Sequence, residues 1–315
     1  MTVKPFFPRL VVCIAGPTAS GKSAWAVSLA KKYAGEIINA DALQVYADLR
    51  ILSARPDISE MENIPHHLFG HVGGDVRYSV GDWINEVTPI ILDILGRHKT
   101  PILVGGTGLY FKALTQGLAN IPNPSEDAVQ DAHAILTRQG IEALRARAQT
   151  LDPVASEKVL GHDPQRLLRI VSVALGTKAP LSVWQQQTRP VVPPKFWLGA
   201  ALMPERAALY TRINARFKTM ISMGGAKEVA NLSRRNLSKS LPVMKAIGVP
   251  QLLALQDGSL SEAEAIENAQ RESRRFAKRQ FTWSRGQMRG SNWNWLEAPL
   301  DYENFENKLA RSLSW

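Results

Sequence analysis

The sequence predicts an α/β protein with a parallel-sheet core, an all-helical insertion and a basic helical C-terminal part. Short apolar runs that end in glycines alternate with helix-like segments, which is typical of a parallel sheet with covered faces. Strand character fades between about residue 120 and residue 195, a region bounded by prolines. Most of the formal net charge of +10 lies beyond residue 200.

Composition narrows the class of protein. The chain has 315 residues, 45% of them hydrophobic, which excludes wholesale disorder. Cys13 is the single cysteine, so neither a disulfide framework nor a thiolate-built metal site can form within one chain. No run approaches the roughly 18 apolar residues of a membrane span. Residues 1–9 lead directly into a strand and leave no room for a signal peptide, so we expect a cytoplasmic protein.

The first part of the core is predicted over residues 1–120. Its strands are short and wholly apolar, as in a sheet that is buried on both faces. The expected elements are strands over Leu10–Ala15, Glu36–Ala40 and Pro101–Gly105, and a helix over Ser23–Tyr33.

Residues 121–195 read as the helical insertion, and residues 196–315 as the completion of the core with basic C-terminal helices. This division rests on the helix-forming composition of the region and on the prolines at its two ends. The expected elements are insertion helices over Asp127–Ala148 and Pro164–Leu175, then a strand over Phe196–Leu202 and helices over 205–233 and 261–286.

A complete G-x-x-x-x-G-K-[ST] motif follows the first strand and precedes the first helix, the context that a phosphate-binding loop requires. This makes the core P-loop NTPase-like. Backbone N–H groups at the helix N-terminus would cradle a di- or triphosphate, the lysine would neutralise phosphate oxygens and the final serine would ligate Mg²⁺. The motif residues are Gly16, Pro17, Thr18, Ala19, Ser20, Gly21, Lys22 and Ser23. The commonest use of such a loop is ATP or GTP hydrolysis or phosphoryl transfer.

The basic residues are concentrated in one segment. Residues 201–290 carry 16 Lys and Arg against 7 Asp and Glu, and seven of these cations lie within 271–289, opposed only by Glu272. Such a concentration indicates a polyanionic partner, most simply nucleic acid, although a solvated helix face is the alternative.

Seven further motifs follow in order along the chain. They are Asp41-Ala-Leu-Gln-Val-Tyr46, Ser53-Ala-Arg-Pro56 with Pro65-His-His-Leu68, Val104-Gly-Gly-Thr-Gly-Leu-Tyr110, Asp163-Pro-Gln-Arg-Leu-Leu-Arg169, Arg206 to Arg216, Lys245-Ala-Ile-Gly248 and Ala277-Lys-Arg-Gln-Phe-Thr-Trp283. In this order they resemble the tRNA dimethylallyltransferases, the isopentenyl transferases that prenylate adenosine beside the anticodon. The resemblance runs from about Val11 to Arg285.

The resemblance implies an unusual use of the P-loop. The loop would hold the pyrophosphate of dimethylallyl diphosphate, and the prenyl group would pass to N6 of adenine 37, next to A36 in the anticodon stem-loop. Asp41 matches the family's general base and Thr107 the position that orients the reacting groups. Lys22, Arg216 and Mg²⁺ bound at Ser23 would stabilise the leaving pyrophosphate.

The resemblance also implies positions that contact tRNA. The predicted contacts lie in the loop after the second strand, on the insertion, and in the C-terminal part. They are Asp41, Ala42, Leu43, Gln44, Gln165, Arg166, Leu167, Leu168, Arg169, Lys245, Arg274, Lys278 and Arg279. We expect Trp283 to pack against the core and the enzyme to be a monomer without membrane contact.

Several positions depart from the family's pattern. Ala42 stands where the family usually has serine, and Leu52 and Val249 replace a usual glycine and aromatic. They bear on tRNA affinity more than on chemistry. Three alternatives remain open at this point: an isopentenyltransferase acting on free adenine nucleotides, a small-molecule P-loop kinase, and a non-catalytic RNA-binding protein.

Overall fold

The computed structural model describes residues 10–186 and 188–313. The described chain divides into two compact units, one formed by residues 10–115 with 192–313 and the other by residues 116–186 with 188–191. The bounds of the second unit differ by a few residues from the 121–195 predicted for the helical insertion. Among the described residues, no helix has both the length and the apolar character that crossing a membrane requires.

The first unit is built on a parallel sheet that has six strands within the described residues, in the order β3-β2-β4-β1-β5-β6. The α/β class with a parallel sheet is therefore confirmed. The strands are β1 (Val11–Ala15), β2 (Gly35–Asn39), β3 (His66–His67), β4 (Thr100–Gly105), β5 (Trp197–Leu202) and β6 (Trp293–Leu296).

Helices connect the strands and form the framework of the second unit. In the first unit they are α1 (Lys22–Lys32), α2 (Ile58–Met61), α3 (Val80–Gly96) and α4 (Gly108–Gln116). The second unit contains α5 (Glu126–Leu151), α6 (Pro153–Glu157), α7 (Pro164–Thr177) and α8 (Leu181–Gln185). The chain then returns with α9 (Arg206–Ser222), α10 (Gly225–Ser233), α11 (Val249–Gln256), α12 (Glu262–Gln287) and α13 (Pro299–Leu313).

The C-terminal part contains two features beyond the predicted helical segments. The segment over 205–233 is divided into α9 and α10 at Gly224, whose left-handed backbone (φ 99°) interrupts the helix. After α12, β6 adds a parallel edge strand beside β5. The strands β1, β2, β4 and β5 are confirmed to within a residue at each end.

The sheet core explains why the site forms where it does. Val12, Ile14, Ile37, Ile102 and Val104 belong to one buried cluster between the sheet and its helices. Since β2, β4 and β1 are neighbours and run in parallel, the loops that follow them leave the same edge of the sheet. These loops carry the P-loop and the two motifs predicted to hold Asp41 and Thr107.

The second unit has its own apolar core, in which α5 packs against α7. Asp152 is buried there and accepts hydrogen bonds from the amides of Ala155 and Ser182, at 2.9 and 2.8 Å. These bonds satisfy the carboxylate without a cation and tie α6 to α8. The helix α5 is kinked at Gly140, whose φ is 85°.

Candidate active site

The P-loop begins where β1 ends and closes on α1. Gly21 adopts a left-handed conformation (φ 87°), which lets α1 start at Lys22 with its first amides directed into the loop. The Lys22 ammonium donates to the carbonyl of Pro17 at 3.2 Å. Burial, together with the nearby cation of Arg216, lowers the pKa of Lys22 to about 8, and the carboxylate of Asp41 partly offsets this. The lysine therefore holds a proton at neutral pH but releases it more readily than a surface lysine.

Asp41 lies at the carboxyl end of β2 and is held by its neighbours. The buried Asn39 side chain accepts from the Asp41 amide at 2.9 Å and donates to the Asp41 carbonyl at 3.0 Å. Trp83 Nε1 donates to the carbonyl of Asn39 at 2.8 Å and fixes it in turn. One carboxylate oxygen of Asp41, Oδ1, accepts from the Leu43 amide at 2.9 Å. Among the described residues, Oδ2 accepts no hydrogen bond, so it is available to a substrate.

Thr107 acts on the backbone beside Asp41. Its hydroxyl accepts from the Ala42 amide at 2.9 Å, and its own amide donates to the carbonyl of Ala40 at 3.2 Å. A Cβ at Gly105 would lie 2.0 Å from that same carbonyl, so only glycine lets the two strand ends meet this closely. The Thr107 turn therefore supports the Asp41 turn from behind. Thr107 is not among the residues that line the cavity.

Arg216 connects α9 to the P-loop. Its guanidinium donates to the Thr18 hydroxyl at 3.2 Å. Burial lowers the pKa of Arg216, while the carboxylates of Asp41 and Glu60 act in the opposite direction. The guanidinium remains charged, because arginine titrates far above neutral pH. Arg216 and Lys22 thus place two cations around the same loop.

These groups surround one cavity of about 620 Å³. Thr18 to Ser23 form one wall, and Asp41 and Arg216 project beside it. The rest of the lining contains an aliphatic and aromatic wall, which can receive an apolar group. It also contains polar and charged side chains, among them Gln44, Arg50, Arg55, Glu60, Glu62 and His66. The apolar lining residues include Leu43, Ile51, Leu52, Ile213, Phe217, Met220, Met223, Ile247 and Phe276.

The loop over residues 50–56 supplies part of this apolar wall and is anchored from two sides. Glu228 on α10 accepts from three successive amides, those of Arg50, Ile51 and Leu52, at 2.6, 2.8 and 2.9 Å. Successive amides of this kind form an anion-binding concavity, here filled by a carboxylate of the protein itself. Gln44 Nε2 donates to the carbonyls of Ser53 and Ala54. The amide nitrogen of Gln44 therefore serves the loop, and its predicted tRNA contact would use the amide oxygen.

The donor set fits a magnesium ion held mainly by a bound diphosphate. Mg²⁺ typically takes one or two protein oxygens and completes its shell with phosphate oxygens and water. The Ser23 hydroxyl is exposed at the start of α1, and Asp41 lines the same cavity. The buried Ser20 Oγ, also in the lining, has no hydrogen-bond partner within the described residues. No group of three or more His, Cys, Asp or Glu side chains suited to a metal occurs in the described part of the chain.

The positions predicted to contact tRNA fall in both units. In the first, Lys245, Lys278 and Arg279 are exposed, whereas Arg274 is half-buried and donates to Asn214 Oδ1 at 2.6 Å. Trp283 lies against Gly108, where a Cβ would come within 2.2 Å of its ring. The predicted packing of Trp283 is therefore confirmed.

In the second unit, Gln165, Arg166 and Arg169 are exposed on α7, which begins at Pro164 behind the capping carboxylate of Asp163. Leu167 is fully buried in the core of that unit and Leu168 packs against it. The prediction that the side chain of Leu167 contacts tRNA is therefore wrong, because it faces inward to pack α7 on α5.

Residues that hold the site from outside the motif loops were not predicted. Asn39 fixes Asp41, and Glu228 fixes the cavity wall, yet neither was assigned a role. Gln280 was quoted within a motif but given no function, although it contacts two of the three loops. A sequence signal was available only for Asn39, because it is an asparagine at the end of a buried strand, next to a candidate base.

Comparison with known families and proteins matches most of the chain. The model of the IPP transferase family matches residues 44–287, and that of the isopentenyl transferase family matches residues 9–67. A tRNA dimethylallyltransferase of Maricaulis maris (strain MCS10) is 50% identical over 297 residues, which cover 94% of this chain and 96% of that protein. A tRNA dimethylallyltransferase of Hyphomonas neptunium (strain ATCC 15444) is 47% identical, covering 86% of each chain.

Solved structures give the same result. The full-length tRNA isopentenylpyrophosphate transferase of Bacillus halodurans is 32% identical, with a TM-score of 0.69 and 97% of each chain covered. A eukaryotic dimethylallyltransferase, described acting on tRNA, is 26% identical with a TM-score of 0.81, over 96% of this chain and 77% of that one.

Proposed function

The chain belongs to the IPP transferase family and is a prenyltransferase that acts on tRNA, and we propose that it uses the cavity described above for a specific transfer. A dimethylallyl group passes from dimethylallyl diphosphate to N6 of adenosine 37, beside A36 in the anticodon loop, with release of pyrophosphate. The relatives named tRNA dimethylallyltransferase support this substrate pair.

The observation that carries the proposal is the pairing of a phosphate cradle with an apolar wall in one cavity. Beyond the P-loop, the lining continues into Leu52, Phe217 and Met220, an apolar surface that phosphoryl transfer to a polar acceptor does not require. A diphosphate joined to a short hydrocarbon matches both surfaces: its phosphates meet the loop amides and Lys22, and its prenyl group meets the aliphatic side chains.

Asp41 is the general base in this proposal. The exocyclic N6 of adenine is a weak nucleophile because its lone pair is delocalised into the ring. As N6 bonds to the allylic C1, the C1–O bond to pyrophosphate breaks, and the proton leaving N6 goes to Oδ2 of Asp41. Asn39 holds the Asp41 backbone and the Leu43 amide holds Oδ1, which leaves Oδ2 of this cavity-lining residue to take the proton. Thr107 contributes by holding the Ala42 amide.

Charge that develops on the leaving pyrophosphate is met by fixed donors. The P-loop amides, the Lys22 ammonium and the Arg216 guanidinium surround its expected position, and preorganised charges of this kind are an effective way to lower such a barrier. Mg²⁺, held by the Ser23 hydroxyl and the diphosphate oxygens, would add Lewis-acid neutralisation of the same charge.

The target adenosine must leave its stack to reach Asp41, as enzymes acting on bases generally require. We propose that residues 41–44, Gln165, Arg166, Arg169, Lys245, Arg274, Lys278 and Arg279 contact the anticodon stem-loop. The exposed positions among them are free to do so. A monomeric state and a cytoplasmic location stay predictions.

The proposal is tested by a transfer assay. The enzyme is incubated with Mg²⁺ and labelled dimethylallyl diphosphate, together with unmodified tRNA carrying A36-A37 or, separately, with AMP. We expect label at A37 of the tRNA, and a loss of at least about 100-fold in rate in Asp41→Ala, in the range attributed to a general base. Circular dichroism of the variant controls for folding.

Each other outcome contradicts a part of the proposal. Label in AMP would move the substrate to free adenine nucleotides. ATP turnover without prenyl transfer would indicate a kinase. Full activity in Asp41→Ala would show that Asp41 is not the general base, while the proposed transferase function would stand.

A further inference from the structure

We propose that Gln280 is a positioning residue that sets the distance between the diphosphate cradle and the general base. The inference rests on the proposed function, since it assigns those roles to the P-loop and to Asp41. Gln280 touches neither substrate in this proposal. It acts through the two loops that do.

The Gln280 side chain bridges two loops that are remote in sequence. Its Oε1 accepts from the Thr18 amide at 3.0 Å, and its Nε2 donates to the Gly106 carbonyl at 2.9 Å. The side chain is buried on the inner face of α12. The amide oxygen and the amide nitrogen are both bonded to backbone groups. A buried amide of this kind has one favourable orientation, because rotating it would leave its own polar atoms and their backbone partners unpaired.

The bridge continues to the reacting groups on each side. Toward the diphosphate, Thr18 accepts from Arg216 through its hydroxyl at 3.2 Å. Toward the base, Gly106 precedes Thr107, whose hydroxyl holds the Ala42 amide beside Asp41. A shift of Gln280 would therefore change the separation of Asp41 from the P-loop without removing any group that acts on the substrates.

The chain around Gln280 is shaped for this contact. A Cβ at Gly106 would lie 2.2 Å from Gln280 Nε2, so glycine there admits the amide. One turn further along α12, Trp283 occupies the space over Gly108. Gly106 and Gly108 thus make room for side chains of α12, which explains why both positions are glycine although neither has a left-handed backbone.

Gln270 provides a matched control on the same helix. It is buried to the same extent as Gln280, 9% exposed in each case, and its Nε2 donates to the backbone carbonyl of Asn214 at 2.9 Å. Among the described residues, Gln270 makes no hydrogen bond to the P-loop or to residues 104–108. Replacing either glutamine with methionine keeps the side-chain volume and removes the hydrogen bonds.

The test compares Gln280→Met with Gln270→Met in single-turnover prenyl transfer at saturating dimethylallyl diphosphate and tRNA. We expect the rate per folded enzyme to fall about 10- to 100-fold in Gln280→Met, the cost of misplacing reacting groups from a distance, and to stay near wild type in Gln270→Met. The tRNA dissociation constant should not change in either. Hydrogen exchange should increase in peptides covering 16–23 and 104–108 only in Gln280→Met.

Three results would overturn the proposal: a wild-type rate in folded Gln280→Met, equal losses in both variants, or a weakened tRNA affinity with an unchanged saturating rate. If Gln280→Met does not fold, Gly106→Ala displaces the same amide and is expected to reproduce the loss of rate. Should the wild-type enzyme transfer no prenyl group to tRNA, the proposed function fails. The exchange measurement then still decides whether Gln280 joins the two loops.

Discussion

At the residue scale, Lys22 gives the site a pH dependence with a definite direction. Burial and Arg216 lower its pKa to about 8, and its charged form is the one that binds phosphate oxygens. We therefore expect kcat/KM for dimethylallyl diphosphate to be constant below pH 8 and to fall about tenfold for each further pH unit, as one proton is lost. The measurement is the pH profile of kcat/KM between about pH 6.5 and about pH 10.

Lys22→Arg provides the control for this profile, because arginine keeps its charge throughout that range. Its kcat/KM should be lower at neutral pH, since the guanidinium is larger than the ammonium, but should show no descent near pH 8. A descent that persists in Lys22→Arg would assign the titration to another group. Circular dichroism at each pH separates titration from unfolding.

Residue-scale prediction from the sequence is most direct where the residues of a site belong to local motifs. Lys22, Asp41 and Arg216 were predicted from motifs, and the structure places all three around one cavity, while their roles stay predictions. Gln280 and Glu228 were not assigned roles because their partners are remote backbone atoms. These lie 174 and 262 residues away for Gln280 and 176 to 178 residues away for Glu228. A side chain whose hydrogen-bond partners are backbone atoms far away in the sequence produces no local sequence pattern.

At the element scale, α10 holds the loop over residues 50–56 through a single carboxylate. Glu228→Gln keeps the shape but loses the charge, and it can no longer offer two equivalent oxygens to three amides. Charge-assisted hydrogen bonds of this kind contribute about 1.5–3 kcal/mol each. Since Glu228 is half-buried, we expect a loss of about 1–3 kcal/mol in the free energy of unfolding, measured with urea.

The same variant should affect substrate binding more than chemistry. Leu52 and Ile51 belong to the apolar wall, whereas Asp41 and the P-loop are held by other contacts. We expect the KM for dimethylallyl diphosphate to rise and kcat to change little. Glu267→Gln, which alters an exposed carboxylate on α12, is the matched control. An unchanged unfolding free energy and KM in Glu228→Gln would show that the loop holds its shape without α10.

Most elements that contain an apolar run or a long segment of helical composition were predicted. The helix α3 was missed, although it has 17 residues and many apolar side chains. The strands β3 and β6 were missed because they are short and only partly buried, and they exist through pairing with β2 and β5. The helix α13 has 15 residues, but it was missed because its few apolar side chains form no long apolar run. Its aromatic residues pack against Trp25 of α1, with Tyr302 and Phe305 at ring-centroid distances of 5.0 and 5.5 Å. Tertiary contacts of this kind override weak local propensity.

At the scale of the whole molecule, the charge of +10 is distributed so that one helix carries a continuous basic stripe. Arg271, Arg275, Lys278 and Arg285 recur at intervals of three, four and seven residues on α12, which places them on one side, and all four are exposed. The inner side of the same helix carries Gln280 and Phe281, which are buried. The helix therefore joins the catalytic loops to a surface suited to a phosphate backbone.

Neutralising this stripe should weaken tRNA binding in a salt-dependent way. Each phosphate that the protein no longer neutralises reduces the slope of log Kd against log salt by about 0.7–0.9, so the triple variant Arg275→Gln, Lys278→Gln and Arg285→Gln should reduce it by about 2–3. We expect the rate at saturating tRNA to remain near wild type, because none of the three side chains lines the cavity. The measurement is a titration of tRNA binding between low and moderate salt.

A second triple variant distinguishes tRNA binding at the α12 stripe from a general attraction by the net charge of the protein. Lys227→Gln, Arg234→Gln and Lys239→Gln remove the same number of exposed charges from the α10 region, outside the predicted contacts. If only the overall charge of +10 attracts tRNA, both triples lower affinity and slope equally. If the stripe follows the phosphate backbone, only the α12 triple changes the slope by the full amount, since counterions are released where phosphates are neutralised. Equal slopes for both triple variants would therefore show that α12 does not bind the tRNA backbone. The helix would then contribute to the enzyme only through its buried inner side.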